Sequence, residues 1–156
     1  MNFNKFILFL LLLQSQCCAT ISSGVCEHYY ASIKASVVNS HVGPGENYQI
    51  AWRYVKGVPV VVVAKYDHWR MIVDPSGDSC WIHKSLLSSK RSVICVQEAP
   101  AQLIGEKFEM QKVVAFIKKN VIMTLLDIQG QYCFVECVCG GKKYQGWIVK
   151  TAVFGA

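Results

Sequence analysis

The sequence predicts an all-β protein made of two tandem copies of one small unit. Strand signals dominate from Tyr29 onward, and helical periodicity is hard to find anywhere after the N-terminal leader. The chain also repeats itself. Trp81-Ile82-x-Lys84-Ser85-Leu86-Leu87 returns 66 residues later as Trp147-Ile148-x-Lys150-Thr151-Ala152-Val153. Upstream the offset is 63: Trp69 answers to Tyr132, and Lys56-Gly57-Val58 answers to Lys119-Asn120-Val121. Asn120 then stands for Gly57 at an expected left-handed turn, a conformation Asn tolerates better than most residues. A repeat of that length built from short strands reads as two all-β copies.

The leader comes first. Lys5 precedes eight unbroken apolar residues, Phe6 to Leu13, and a polar stretch leads to Cys17-Cys18-Ala19. That order reads as a signal peptide over residues 1–19, with Ala19 at the cleavage site and Thr20 as the mature N-terminus. Eight apolar residues would span roughly 12 Å as helix, well short of the ~20 residues a bilayer needs, so no transmembrane anchor is expected. The destination is periplasmic or extracellular. Lipidation at Cys17 or Cys18 is disfavoured because Gln16 stands where lipoprotein signals carry Gly or Ala. Beyond residue 19 the chain holds fifteen Lys and Arg against ten Asp and Glu. The cations are scattered, with doublets at Lys90-Arg91, Lys118-Lys119 and Lys142-Lys143, so they read as solvated strand edges and turns. Nucleic acid is not an expected partner of an exported chain.

Val58 to Ala64 is β-branched and almost wholly apolar, a buried strand with Pro59 near its start. From Asp67 to Leu87 the pattern is a hairpin: Trp69 to Val73, a turn at Asp74-Pro75-Ser76-Gly77-Asp78, then Cys80 to His83. Lys84-Ser85-Leu86-Leu87 is too short for an α-helix and reads as one 3₁₀ turn. A second hairpin runs from Tyr132 to Cys139 and from Tyr144 to Val149, joined by Gly140-Gly141-Lys142-Lys143. The extra three residues in the second offset are assigned to a longer loop there. The expected units are residues 28–96 and 100–156, with the junction near Val96 to Pro100.

Val38-Asn39, Val42-Gly43-Pro44-Gly45, the strand-opening Trp69 and the closing Trp-Ile-x-Lys-Ser-Leu-Leu (81–87) together resemble the bacterial SH3-like domain. Residues 113–156 resemble a second, divergent copy, ending in Ala152-Val153-Phe154-Gly155-Ala156. Cys80 departs from the glycine usual before the tryptophan, and Leu103-Ile104-Gly105-Glu106 lacks the Gly-Pro-Gly. The resemblance implies two tandem SH3-type β-barrels used for binding rather than catalysis, in periplasmic, surface or cell-wall proteins. It implies peptidoglycan, or another peptide or protein ligand, as partner. A secreted effector that binds a host protein, or an accessory subunit of a cell-wall hydrolase, are the alternatives. In an SH3-type barrel the last strand lies antiparallel to the first, which implies a disulfide between Cys26 and Cys95.

Aromatics distinguish the copies. Tyr48, Trp52, Tyr54 and Tyr66 cluster around the Gly43-Pro44-Gly45 loop and the next strands. Gln111, Ala115, Ile117 and Gln129 stand at the matching places of the second copy. Aromatic-lined grooves suit extended peptides, so these four, with Arg53 and Lys65 beside them to attract carboxylates, form the expected ligand site. Trp81 and Trp147 read as hairpin-packing residues. His28, His41, His68 and His83 look scattered in the sequence, without ligand spacing. Cys133, Cys137 and Cys139 share one strand parity, about 7 Å between neighbours, awkward for a mutual bridge and one ligand short of a zinc site. Neither Cys80 with His83 nor Cys26 with His28 shows the third orienting group a nucleophile needs. No metal, cofactor or catalytic residue is expected.

Overall fold

A computed structural model of the chain describes residues 28–105 and 112–156. The signal peptide over residues 1–19, the lipidation candidates Cys17 and Cys18, and the disulfide candidate Cys26 lie outside them. What is described is strand after strand, as the β-branched and aromatic composition requires. The first copy holds β1 (Tyr29–Ile33), β2 (Val37–His41), β3 (Ile50–Val55), β4 (Pro59–Tyr66), β5 (Trp69–Val73), β6 (Ser79–His83) and β7 (Leu87–Ser88). The second holds β8 (Ser92–Cys95), β9 (Ala101–Ile104), β10 (Val113–Ile117), β11 (Ile122–Gln129), β12 (Tyr132–Cys139), β13 (Lys142–Val149) and β14 (Val153–Phe154). The 3₁₀ turns Lys84–Leu86 and Lys150–Ala152 close the two sets, the first where the sequence places it.

The strands make two sheets of one topology, β3-β2-β6-β5-β4-β1-β7 and β10-β9-β13-β12-β11-β8-β14. The agreement extends to irregularities. In β4 the register shifts between Val62 and Ala64; in β11 it shifts between Leu125 and Asp127, 63 residues on. Such bulges bend a long strand so that its two ends serve different sides of a curled sheet. Gly57 (φ 87°) and Asn120 (φ 65°) both occupy the left-handed region, as the repeat predicted. Each sheet closes over its own apolar core. Val60, Val62, Ile72 and Ile82 fill the first; Leu103, Met123, Val135 and Ile148 fill the second. Side chains of that size contribute about 1.5–3 kcal/mol each when fully buried.

Two sequence expectations change here. The apolar run Ser92 to Val96 does not close the first barrel. That place belongs to β7, which pairs with β1 through Ser32↔Ser88 and Ile33↔Leu87. β8 instead opens the second sheet, pairing with β11 and β14. The second unit therefore starts at Ser92 rather than near residue 100, and Cys95 is fully buried in the second core. The strand pairing that implied a Cys26–Cys95 bridge is thus not the one adopted. The second hairpin's extra length also lies in its strands: β12 and β13 have 8 residues each where β5 and β6 have 5. Its turn is Gly140-Gly141 alone, both at positive φ.

Because β7 leads to β8 almost directly, the two units touch. The Ser92 hydroxyl donates to the Gly57 carbonyl at 2.6 Å, and the Ser32 hydroxyl donates to the Lys90 carbonyl at 2.6 Å. Arg91 lies over the Tyr30 ring at 5.2 Å and donates to the Gly155 carbonyl at 2.9 Å. At Gly155 (φ 107°) a Cβ would come 2.5 Å from the Ser92 carbonyl oxygen and 2.8 Å from Pro59, so glycine alone fits this contact.

Candidate functional site

The first unit carries a cleft of about 340 Å³ on the outer face of β2, β5 and β6, lined by Val37, Val38, Asn39, His41, Glu46, Trp69, His83 and Leu86. Register explains its centre. Trp69 lies directly opposite His83 across the β5–β6 ladder and opposite Tyr66 across the β4–β5 turn, which places the three side chains on one face. His41 reaches the same ring from β2. Its imidazole meets Trp69 edge to face at 5.5 Å, and His83 does so at 5.7 Å. His68 stands 5.9 Å from His83 and 3.5 Å from the Asp67 carboxylate.

Each imidazole is oriented by a neighbour. His41 Nδ1 lies 2.7 Å from the Tyr48 carbonyl, which can only accept, so the Nδ1 proton sits in that bond. That leaves Nε2 of neutral His41 as an acceptor. His83 Nδ1 receives the Ser85 hydroxyl at 2.8 Å and the Ser85 backbone N–H at 3.4 Å, capping the 3₁₀ turn. Neutral His83 therefore keeps its proton on Nε2. Two rings flanking one tryptophan thus offer opposite hydrogen-bonding characters. Glu46, which follows the Gly43-Pro44-Gly45 loop, lines the cleft, and the Tyr48 ring lies flush upon that loop: a Cβ at Gly43 would fall 2.5 Å from the ring.

The residues singled out in the sequence divide. Tyr48, Trp52 and Tyr66 are exposed, and Tyr66 continues the row of Trp69 and His83. Arg53 faces Asn39 of the cleft across β2–β3. A register shift beside Ser40 turns Trp52 outward, its N–H bonded to the Ser40 hydroxyl at 3.0 Å. Lys65 lies opposite Arg70, and its ammonium sits 5.6 Å above the Tyr29 ring, away from the cleft.

Tyr54 is a core residue. Its hydroxyl donates to Asp74 Oδ2 at 3.1 Å and lies 3.4 Å from Cys80 Sγ. Asp74 Oδ1 accepts from the N–H groups of Ser76 (2.8 Å) and Asp78 (3.0 Å), which fixes the turn between β5 and β6. Burial, reinforced by Cys80 and Asp74, pushes the Tyr54 phenol far above its usual range. Burial likewise raises the Cys80 thiol, against the hydrogen bonds from Ser40 and Tyr54. A buried thiol that holds its proton is a poor nucleophile, so Cys80 is a packing residue rather than the partner of His83. Among the described residues no group of His, Cys, Asp or Glu is arranged to hold a metal ion. The site residues the sequence reading passed over are His41, Trp69 and His83. The signal was present in the hairpin, whose five-residue turn sets Trp69 against His83.

The fold and this cleft define two SH3-like units in tandem. Residues 34–89, the whole of the cleft-bearing unit from β2 to β7, match the family model of the bacterial SH3 domain. No curated protein matches the chain. Among solved structures, the chain is similar to NlpC2 from Trichomonas vaginalis (15% identity, TM-score 0.35, covering 83% of this chain and 48% of that one). It is also similar to NlpC1 from Trichomonas vaginalis (16%, TM-score 0.34, 85% and 47%). An NlpC/P60 family protein from Bacillus cereus gives 12%, TM-score 0.36, 80% and 55%. The chain spans about half the length of these proteins. No helix among the described residues is long and apolar enough to cross a membrane.

Proposed function

We propose that the chain is an exported, non-enzymatic binding module of the cell envelope, recognising peptidoglycan or another extended peptide through its first barrel. The match of residues 34–89 to the bacterial SH3 domain supports the class. The observation that carries the reading is the cleft, where Trp69 is held between His41 and His83 beside exposed Tyr48 and Tyr66. A rigid aromatic floor with fixed polar groups at its sides binds an extended peptide at low ordering cost. Arg53, opposite Asn39 at the cleft's edge, would favour a ligand bearing carboxylates. Trp52 extends the aromatic surface along the edge strand β3.

Retention of the purified chain on peptidoglycan tests this. Trp69→Ala should weaken retention roughly thirtyfold, the loss of about 2 kcal/mol expected of a central aromatic anchor. Tyr132→Ala, at the matching place in the second barrel, should leave it unchanged. Circular dichroism of both variants checks folding. Equal retention of Trp69→Ala and the parent chain, with both folded, removes the cleft from the reading.

A further inference from the structure

We propose that the cleft between the two barrels is a second binding site, one for a phosphate-bearing anion. This cleft measures about 540 Å³, larger than the one around Trp69 and within the size range of ligand pockets. Lys34 and Lys56 reach it from the first barrel, Lys90 and Arg91 from the connection, and Thr124 and Glu136 from the second barrel. Four cations therefore face one carboxylate in a concave space, where converging field lines raise the local concentration of anions.

That carboxylate does not neutralise the set. Glu136 accepts from Gln145 Nε2 at 2.8 Å and from Lys143 Nζ at 3.4 Å, so its main partners come from β13. Arg91 is also committed: its guanidinium covers Tyr30 and reaches the Gly155 carbonyl. Its Nε is buried with no partner. Arg91 thus braces the cleft's floor. Among the described residues no carboxylate forms an ion pair with Lys34, Lys56 or Lys90.

The available donors are ammonium groups, and that decides the ligand class. A planar carboxylate gains most from the flat fork of an arginine, which here is occupied. Ammonium groups are compact point charges with rotatable donors, suited to a tetrahedral, multiply charged phosphate approached from several sides. The two faces of the cleft are held at fixed separation by Ser32, Ser92 and Gly155, so the backbone positions of the lysines are set without a ligand and only their side chains are ordered by binding. The site is independent of the Trp69 cleft and does not rest on the reading given for it. A free phosphate compound and a lipid phosphate headgroup share this chemistry.

Calorimetric titration of the purified chain with pyrophosphate tests the site, and vesicle co-sedimentation identifies the source. Combined Lys34→Ala, Lys56→Ala and Lys90→Ala substitution should weaken pyrophosphate binding about tenfold. Replacing the distant doublet, Lys118→Ala with Lys119→Ala, should leave it unchanged. Affinity should fall as salt rises. The lysines are exposed, so the triple variant is expected to fold, and its thermal midpoint checks this. Sedimentation with phosphatidylglycerol but not phosphatidylcholine vesicles, lost in the triple variant, points to a lipid headgroup. Pyrophosphate binding without vesicle binding points to a soluble phosphate. No pyrophosphate binding, equal binding by the folded triple variant, or equal weakening by the control doublet would overturn the proposal.

Discussion

The two barrels share a strand order, bulge positions and left-handed turns, yet their interiors are built on different chemistry. In the first, Tyr54, Asp74 and Cys80 form a buried polar group, with Ser40 bonded to Cys80. The repeat sets Ile117 opposite Tyr54, Leu103 opposite Ser40 and Gly146 opposite Cys80, so the second barrel is apolar at the same depth. The outer face differs in the same direction. His41, Trp69 and His83 correspond to Ile104, Tyr132 and Val149, and the pairing of His41 with Trp81 is mirrored by Ile104 with Trp147. One backbone is thus satisfied by either interior. The polar version does something further: Asp74 ties the β5–β6 turn to the core, and that hairpin presents Trp69 and His83. An arrangement held by hydrogen bonds to a single carboxylate is directional, as a recognition surface requires, but it is vulnerable at that carboxylate.

The sharpest way to break the comparison is to remove it. Asp74→Ala leaves the Tyr54 hydroxyl and the N–H groups of Ser76 and Asp78 without their acceptor. A cost of about 3 kcal/mol is expected, since the buried Tyr54 hydroxyl is left unpaired and the turn loses the two N–H bonds that fix it. Amide hydrogen exchange should show lost protection across β5 and β6 while β12 and β13 keep theirs. Equal loss in both hairpins would mean the two interiors unfold as one and the contrast has no energetic content.

The second barrel has its own point of failure. A Cβ on Gly146 would stand 2.7 Å from the Ile104 carbonyl oxygen and 2.9 Å from Leu103 Cγ. Gly146→Ala should therefore cost about 2 kcal/mol through backbone displacement. Cys80→Ala, at the matching place in the first barrel, should cost only about 1 kcal/mol, because a Cβ is already accommodated there and only the sulfur contacts are lost. Chemical denaturation of the two variants measures both. Reversal of their order would show that the two sheets approach differently at this position from what the shared topology implies.

Much of this was legible in the sequence, and the failures have physical causes. The turns, both hairpins, the first 3₁₀ segment and the tandem repeat are local or periodic features, and the chain spells them out. The unit boundary is not local. Ser92 to Val96 is an apolar β-branched run after a complete barrel motif, and nothing in its own residues says which sheet it joins. The repeat did hold that answer, since a 63-residue step from Tyr29 lands on Ser92. The sequence groups Tyr54 with Tyr48, Trp52 and Tyr66 because the four cluster and Ile117 stands where the second copy would need an aromatic. The register shift at Ser40 breaks simple alternation, and a bulge is invisible without its partner strand. The histidines looked scattered because 42 residues separate His41 from His83, and only the sheet brings them to one tryptophan.

The smallest of the expected effects is a difference in alkaline sensitivity. Burial raises the thiols of Cys80 in the first barrel and of Cys133 and Cys137 in the second. A group whose folded-state pKa exceeds its unfolded value holds its proton more tightly when folded. Its contribution is complete below the unfolded value, about 8.5 for a thiol, and declines as pH rises from there toward the folded value. The limiting slope is about 1.4 kcal/mol per pH unit for each such group. With two raised thiols against one, the second barrel should lose stability faster from about pH 8.5 to 10. Above about pH 10 the two slopes converge, because Tyr54 is then ionised in the unfolded chain but still held neutral in the folded first barrel, which gives each barrel two raised groups. Residue-resolved hydrogen exchange across that range, corrected for the intrinsic rate, would reveal the convergence. The Cys133→Ala/Cys137→Ala variant should flatten the second barrel's early loss, and Tyr54→Phe should abolish the first barrel's late one. Parallel loss in both barrels at every pH would show that the two interiors do not differ in how they hold their protons.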